Sequence, residues 1–291
     1  MQGIIYYLAL PFIYLISLMP FWLLYRISDG MYILLYYIIG YRKKVVYKNL
    51  KKSFPDKTET EIKAIEKNFY KHLCDLMLEI LKGLTISAKS ASERCVMSTE
   101  LQDIFKKYYE QKISVVGVMG HWGNWEWGSN AFSLLKQQQL YGIYHPLSNK
   151  YFDSMILRMR SRLGTKLIAM NDTYKEMIRK RNEINVTTFI ADQTPSGANA
   201  YWTTFLNQNT PILWGVEKIA KKMNMPVVFI SVDKLKRGYY HMHAEVLTDE
   251  PRLLPDGQLT ELHTKKLEKD IIYKPEIWLW SHRRWKHKRK S

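Results

Sequence analysis

Ile113-Ser-Val-Val-Gly-Val-Met119-Gly-His121-Trp-Gly-Asn-Trp-Glu126 runs from an apolar, β-branched stretch straight into a polar one. Residues 113–119 read as a short buried strand ending at Gly120, and residues 124–135 as the helix that follows. His121 then stands at the carboxyl end of a strand, where side chains of α/β proteins open onto a cleft. Glu126 lies five residues on. On one continuous helix that spacing turns through about 140° and would part the two side chains. They converge only with His121 on the strand-to-helix loop and Glu126 in the first helical turn, a turn that Gly120 and Gly123 permit.

In that geometry the Glu126 carboxylate is expected to hold one imidazole nitrogen while the other takes a proton from an attacking hydroxyl. Asn124 either caps the helix or donates to the tetrahedral oxyanion.

Outward from this segment, strands are expected at 139–144, 186–191, 226–232 and 239–247, with helices at 150–163, 212–223 and 258–273. Such alternation predicts an α/β fold with a largely parallel or mixed central sheet flanked by helices. Asp192 and Gln193 follow the strand at 186–191 and should open onto the same rim as His121. Asp192 either positions substrate or forms a turn before Thr194-Pro195. Upstream, residues 53–59 read as a loop, after which Thr58 or Thr60 caps a helix bearing Ile62, Ile65, Phe69, Leu73, Leu76 and Ile80 at helical spacing.

The chain has 291 residues, 46% of them hydrophobic, enough to bury a substantial core. Its 44 Lys and Arg exceed 27 Asp and Glu by 17, so a polyanionic neighbour is expected. Residues 3–25 contain no charge and are about long enough to cross a hydrocarbon core of about 30 Å. A cleaved leader would begin with basic residues, whereas only Met1 and Gln2 precede this run. Residues 1–41 are therefore expected to anchor the protein in a membrane. Pro11 and Pro20 leave open whether the anchor spans or is re-entrant. Arg42, Lys43, Lys44, Lys48, Lys51 and Lys52 follow, placing residues 42–291 on the cytoplasmic side against an anionic membrane surface. Cys74 and Cys95 are too few for a disulfide framework and lack paired zinc spacing. His241, His243 and Glu245 share a strand face but lack further ligands, and phosphate-binding glycine loops are absent, so no metal or cofactor is expected.

His121-x4-Glu126 resembles the His-x4-Asp/Glu signature of glycerolipid-type acyltransferases, and its Trp-Gly-Asn-Trp interior resembles the lipid A biosynthesis late acyltransferases. Further segments are similar to that family: Arg42 to Pro55 after the anchor, Ala191-Asp192-Gln193-Thr-Pro, Phe205-Leu-Asn-Gln-Asn-Thr210-Pro with Gly215, and Trp278-Leu-Trp-Ser-His282-Arg-Arg-Trp285. The resemblance covers nearly the whole chain. It implies a glycerolipid-acyltransferase-like fold and transfer of a fatty chain from acyl carrier protein to a hydroxyl of a phosphorylated glycolipid, a lipid A precursor, at the bacterial inner membrane. Leu157-Arg158-Met-Arg160-Ser-Arg162-Leu-Gly164 matches the family's arginine-bearing stretch, with the register between Arg158 and Arg160 open. An arginine there would hold a lipid phosphate, stabilise the thioester oxygen or anchor Glu126. His-x4-Glu chemistry alone would equally serve a lysophospholipid, glycerol phosphate or aminolipid acceptor. A membrane-tethered nucleic-acid-binding protein is disfavoured, because the basic residues gather beside the anchor and at the carboxyl terminus instead of interleaving with aromatics on a sheet. The cations and indoles of residues 282–291 suit a headgroup boundary or an acidic carrier protein.

Overall fold

The computed structural model describes residues 2–195 and 200–287. The last residues of the basic tail, 288–291, lie outside that range. The chain opens with helices α1 (Gln2–Leu18) and α2 (Phe21–Tyr32), a π-helical segment (Ile33–Ile39), α3 (Lys43–Ser53), α4 (Glu59–Lys82) and α5 (Ala88–Arg94). It continues with β1 (Cys95–Met97), α6 (Thr99–Glu110), β2 (Val115–Met119), α7 (Trp125–Ser133), β3 (Gln139–Tyr144), α8 (Lys150–Ser161) and β4 (Lys166–Ala169). Then come α9 (Thr173–Arg179), β5 (Asn185–Ile190), β6 (Tyr201–Phe205), β7 (Gln208–Ile212), α10 (Gly215–Met223), β8 (Val227–Lys236), β9 (Tyr239–Thr248) and α11 (Gln258–Tyr273).

Seven strands form one sheet in the order β1-β9-β8-β2-β5-β3-β4, parallel throughout except for the β8–β9 hairpin. The mixed, largely parallel α/β sheet expected from the alternating pattern is present. Both faces are covered: Val116 and Val118 of β2 enter one apolar cluster with α4, α10 and α11, while Val115 and Met119 enter another with α6 and α7. Burial on both sides explains why β2 reads as an unbroken apolar run.

The run 3–25 does not form one helix. Pro20, extended at φ −63° and ψ 150°, precedes α2 and ends the hydrogen-bond ladder of α1. α1 has 17 residues, about 25 Å at the helical rise, and among the described residues no helix is long and apolar enough to cross a membrane. The expected spanning helix is therefore replaced by two shorter ones packed on the rest of the protein. Lys82 Nζ donates to the Ser17 and Met19 carbonyls at the α1–α2 break, Tyr25 donates to Glu79, and Ser28 donates to Asp75.

Two other features position the rim of the sheet. Thr58 caps α4 in a capping box with Glu61, as its sequence predicts. The carboxyl-terminal segment from Ile277 to Trp285 lies over the β2–α7 loop: the Gly123 amide donates to Ile277 O, and the Leu279 amide to His121 O. α3 holds that segment, since Asn49 Nδ2 donates to the Trp280 and His282 carbonyls at 2.9 and 3.0 Å and Arg42 donates to Ser281 O. Asn49→Ala should leave these largely buried carbonyls unpartnered and lower unfolding free energy by about 1–3 kcal/mol, measurable by denaturant titration.

Candidate active site

β2 and β5 are neighbours, with Met119 paired to Ile190. Each strand continues for two residues to a polar side chain, His121 in one case and Asp192 in the other. The Ala191 amide donates to Met119 O and carries the register past the strand ends. Parallel strands at equal offset bring the two side chains together: His121 Nδ1 lies 2.6 Å from Asp192 Oδ1, and the His121 backbone amide donates to Asp192 Oδ2 at 2.8 Å. Trp278 Nε1 from the carboxyl-terminal segment donates to the same Oδ2 at 2.7 Å.

Burial alone would raise the Asp192 carboxyl, but the His121 ring and these donors outweigh it and hold it down at about 2. An ionised carboxylate only accepts, so His121 Nδ1 carries the proton and Nε2 presents its lone pair. Gln193 Nε2 lies 3.3 Å from that atom. The imidazole is thereby fixed in tautomer and orientation, with its basic nitrogen on the rim.

Glu126 does not hold His121, contrary to the expectation from spacing. It lies in the first turn of α7, as foreseen, but the helix aims its side chain at α8, where Arg160 takes both carboxylate oxygens through Nε at 3.0 Å each. Burial weakens the Arg160 charge, and Glu126 more than offsets this, raising its pKa above the ordinary value. Arg160 is thus the arginine that anchors Glu126, while Arg158 is exposed on the same helix. Asn124 is wholly buried: Oδ1 accepts from the Trp127 amide as the helix cap and Nδ2 donates to Glu79, so it does not face the rim where an oxyanion would form.

Between α7 and the sheet runs an apolar cavity. Trp125, Glu126 and Arg160 line it together with apolar side chains such as Phe132, Leu140 and Ile190. Trp125 meets the His121 ring edge to face at 4.7 Å, which places the imidazole beside this cavity. A base oriented by a buried carboxylate at the margin of an apolar cavity suits attack by a hydroxyl on a carbonyl that carries a hydrocarbon chain.

A family model described as bacterial lipid A biosynthesis acyltransferase matches residues 1–287. The chain belongs to that family. It is 24% identical over 286 residues to the lipid A biosynthesis lauroyltransferase of Escherichia coli (strain K12), a match covering 96% of this chain and 90% of that relative. The protein is an acyltransferase, and the family's chemistry is acyl transfer in lipid A biosynthesis. In this member of the family the separate segments that resemble it pack around one place. Asn49 holds Trp280, Thr194 Oγ1 donates to the Arg284 carbonyl, Trp285 Nε1 donates to Thr210, and Trp278 donates to Asp192.

His241 and His243 stand 4.2 Å apart on β9, and among the described residues no group of three or more His, Cys, Asp and Glu gathers as a metal-ligand set.

Asp192→Asn offers an amide in place of an acceptor-only carboxylate and should turn the imidazole toward the wrong tautomer. A fall in kcat on the order of 10^3- to 10^4-fold is expected in an acyl transfer assay, with the fold retained by circular dichroism. Because the folded Asp192 value lies below the ordinary 3.8, its stabilisation is present above about pH 4 and is lost as pH falls toward 2. The stability difference between wild type and Asp192→Asn should therefore shrink across that window in acid titrations.

Proposed function

We propose that the protein transfers a fatty chain from an acyl-carrier-protein thioester to a hydroxyl of a phosphorylated lipid A precursor, with His121 as general base. The observation that carries this reading is the His121 imidazole, locked by Asp192 through Nδ1, beside the apolar cavity behind Trp125. The acceptor oxygen bonds to the thioester carbonyl carbon while its proton passes to Nε2. The tetrahedral intermediate then collapses, the carbon–sulfur bond breaks, and the thiolate recovers a proton from the imidazolium. The cavity would receive the chain, with each buried methylene contributing about 0.8 kcal/mol.

In this scheme Glu126 acts with Arg160. The pair lines the cavity with Trp125, and in this reading the guanidinium offsets negative charge developing on the carbonyl oxygen. Asn124 serves as a helix cap that fixes the loop, Gln193 bounds the access to Nε2, and exposed Arg158 is assigned to the acceptor's phosphate.

Residues 1–41 are read as the membrane-facing segment and 42–291 as the catalytic domain. α1 exposes Leu8 at 68% and Phe12 at 67%, and the π-helical segment exposes Ile38 at 72%. Exposed apolar residues beside Arg42, Lys43, Lys44 and Lys48 suit docking of these helices on the anionic cytoplasmic face of the inner membrane.

His121→Ala should reduce transfer at least 10^2- to 10^4-fold with acyl-carrier donors, and full activity in a folded variant would refute the base assignment. Glu126→Gln should lower kcat more than it raises KM. Loss of one acyl chain from lipid A on deletion of the protein, read by mass spectrometry, supports the acceptor, whereas unchanged lipid A with altered phospholipids rejects it. Phe132→Ala enlarges the cavity and should shift donor preference toward longer chains in competition assays.

A further inference from the structure

Below Asp192, between α11 and the sheet, lies a second and much smaller cavity, with space for about one water-sized sphere. Phe205, Phe229 and Leu267 give it apolar walls, yet Arg284, His263 and Thr264 also line it. Arg284 is only 1% exposed, and among the described residues Nε, Nη1 and Nη2 all lack a hydrogen-bond partner. His263 Nε2 and Thr264 Oγ1, both buried, are likewise unpartnered.

A guanidinium carries five N–H donors and no acceptor, and a buried one calls for compensating negative charge. Asp192 supplies none of the missing hydrogen bonds, since its oxygens already take the His121 ring, the His121 amide and the Trp278 indole. Burial lowers the His263 pKa to about 4, so near neutral pH this ring is uncharged and can donate through Nε2–H. The hydroxyl of Thr264 can donate as well. Donors from three side chains thus line a dry-walled space that contains no acceptor of its own beyond Asp192.

We propose that this cavity is a binding site for a single monatomic anion of the halide class, held by Arg284, His263 and Thr264. Its walls leave room for one water-sized occupant, which excludes phosphate and carboxylate groups. A water molecule would meet only some of the donors, and the Asp192 charge beside Arg284 is already engaged by the His121 and Trp278 donors. The anion has a consequence for the catalytic pair. Without it the Arg284 charge pulls on Asp192 in competition with His121, and with it that attraction is cancelled, leaving the carboxylate to the imidazole.

The test uses the full-length purified protein in sodium chloride, bromide or gluconate at equal ionic strength. Crystals grown in bromide should show an anomalous peak in contact with Arg284, His263 and Thr264. The wild-type Tm should rise by about 3 °C for each tenfold increase in halide above its Kd and stay flat in gluconate. Arg284→Met should lose this halide dependence, and Thr264→Val should weaken it. The proposal is overturned if the cavity holds only ordered water in bromide crystals, or if wild-type Tm is the same in all three salts. The anomalous measurement decides the matter even if Arg284→Met does not fold.

Discussion

The contact between His121 Nδ1 and the Asp192 carboxylate is the constraint around which the rest of the molecule is arranged. Asp192 is 6% exposed and ionised, and a buried charge is tolerated only where donors surround it. The His121 ring and amide, with the Trp278 indole, supply those donors from separate parts of the chain. Each donor must be delivered accurately, and much of the fold does this delivery. Parallel pairing of β2 and β5 sets the spacing of the two strand ends. Gly123, at φ +72°, lets the loop pass beneath Val232, whose carbonyl a Cβ would strike. The carboxyl-terminal segment closes over the top.

That segment explains why residues distant in sequence behave as one unit. α3, through Asn49 and Arg42, holds the backbone of residues 280–282, which in turn steadies Trp278 on Asp192. The β6–β7 hairpin joins the same assembly, with Asn207 and Gln208 donating to Ser53 and Trp285 donating to Thr210. A basic stretch that reads in sequence as a membrane contact therefore also has an inward face. Its alternation of Lys with Asn49, Leu50 and Ser53 follows the helix, with cations outward and the buried residues toward the core.

Much of the architecture was legible from local patterns. The strand 139–144 and the helix 258–273 have the ends their sequence suggests, and the Thr58 cap is written in a Thr-x-x-Glu pattern. Elements lacking a strong periodic signal were not: β1, β4 and the β6–β7 hairpin are short or polar and owe their pairing to neighbours. At the site, the strand-end position of His121 and the first-turn position of Glu126 were readable. The partner of His121 was not. β3, β4 and the three helices α7, α8 and α9 separate β2 from β5 in the chain, and only strand order makes them adjacent.

By itself the sequence determined the local geometry of the candidate residues His121, Glu126 and Asp192, because strand, loop and helix-cap conformations depend on near neighbours. It also determined, through a nearly chain-long likeness, the family to which the protein belongs. Tertiary structure alone decided the pairing of charges: Asp192 with His121, Arg160 with Glu126, and Arg284 with no acceptor among the described residues. Tertiary packing likewise folded the apolar amino terminus back as two docked helices. Electrostatic partners are chosen by distances of a few ångströms in space, and those follow from strand order and helix packing, which no local stretch of sequence encodes.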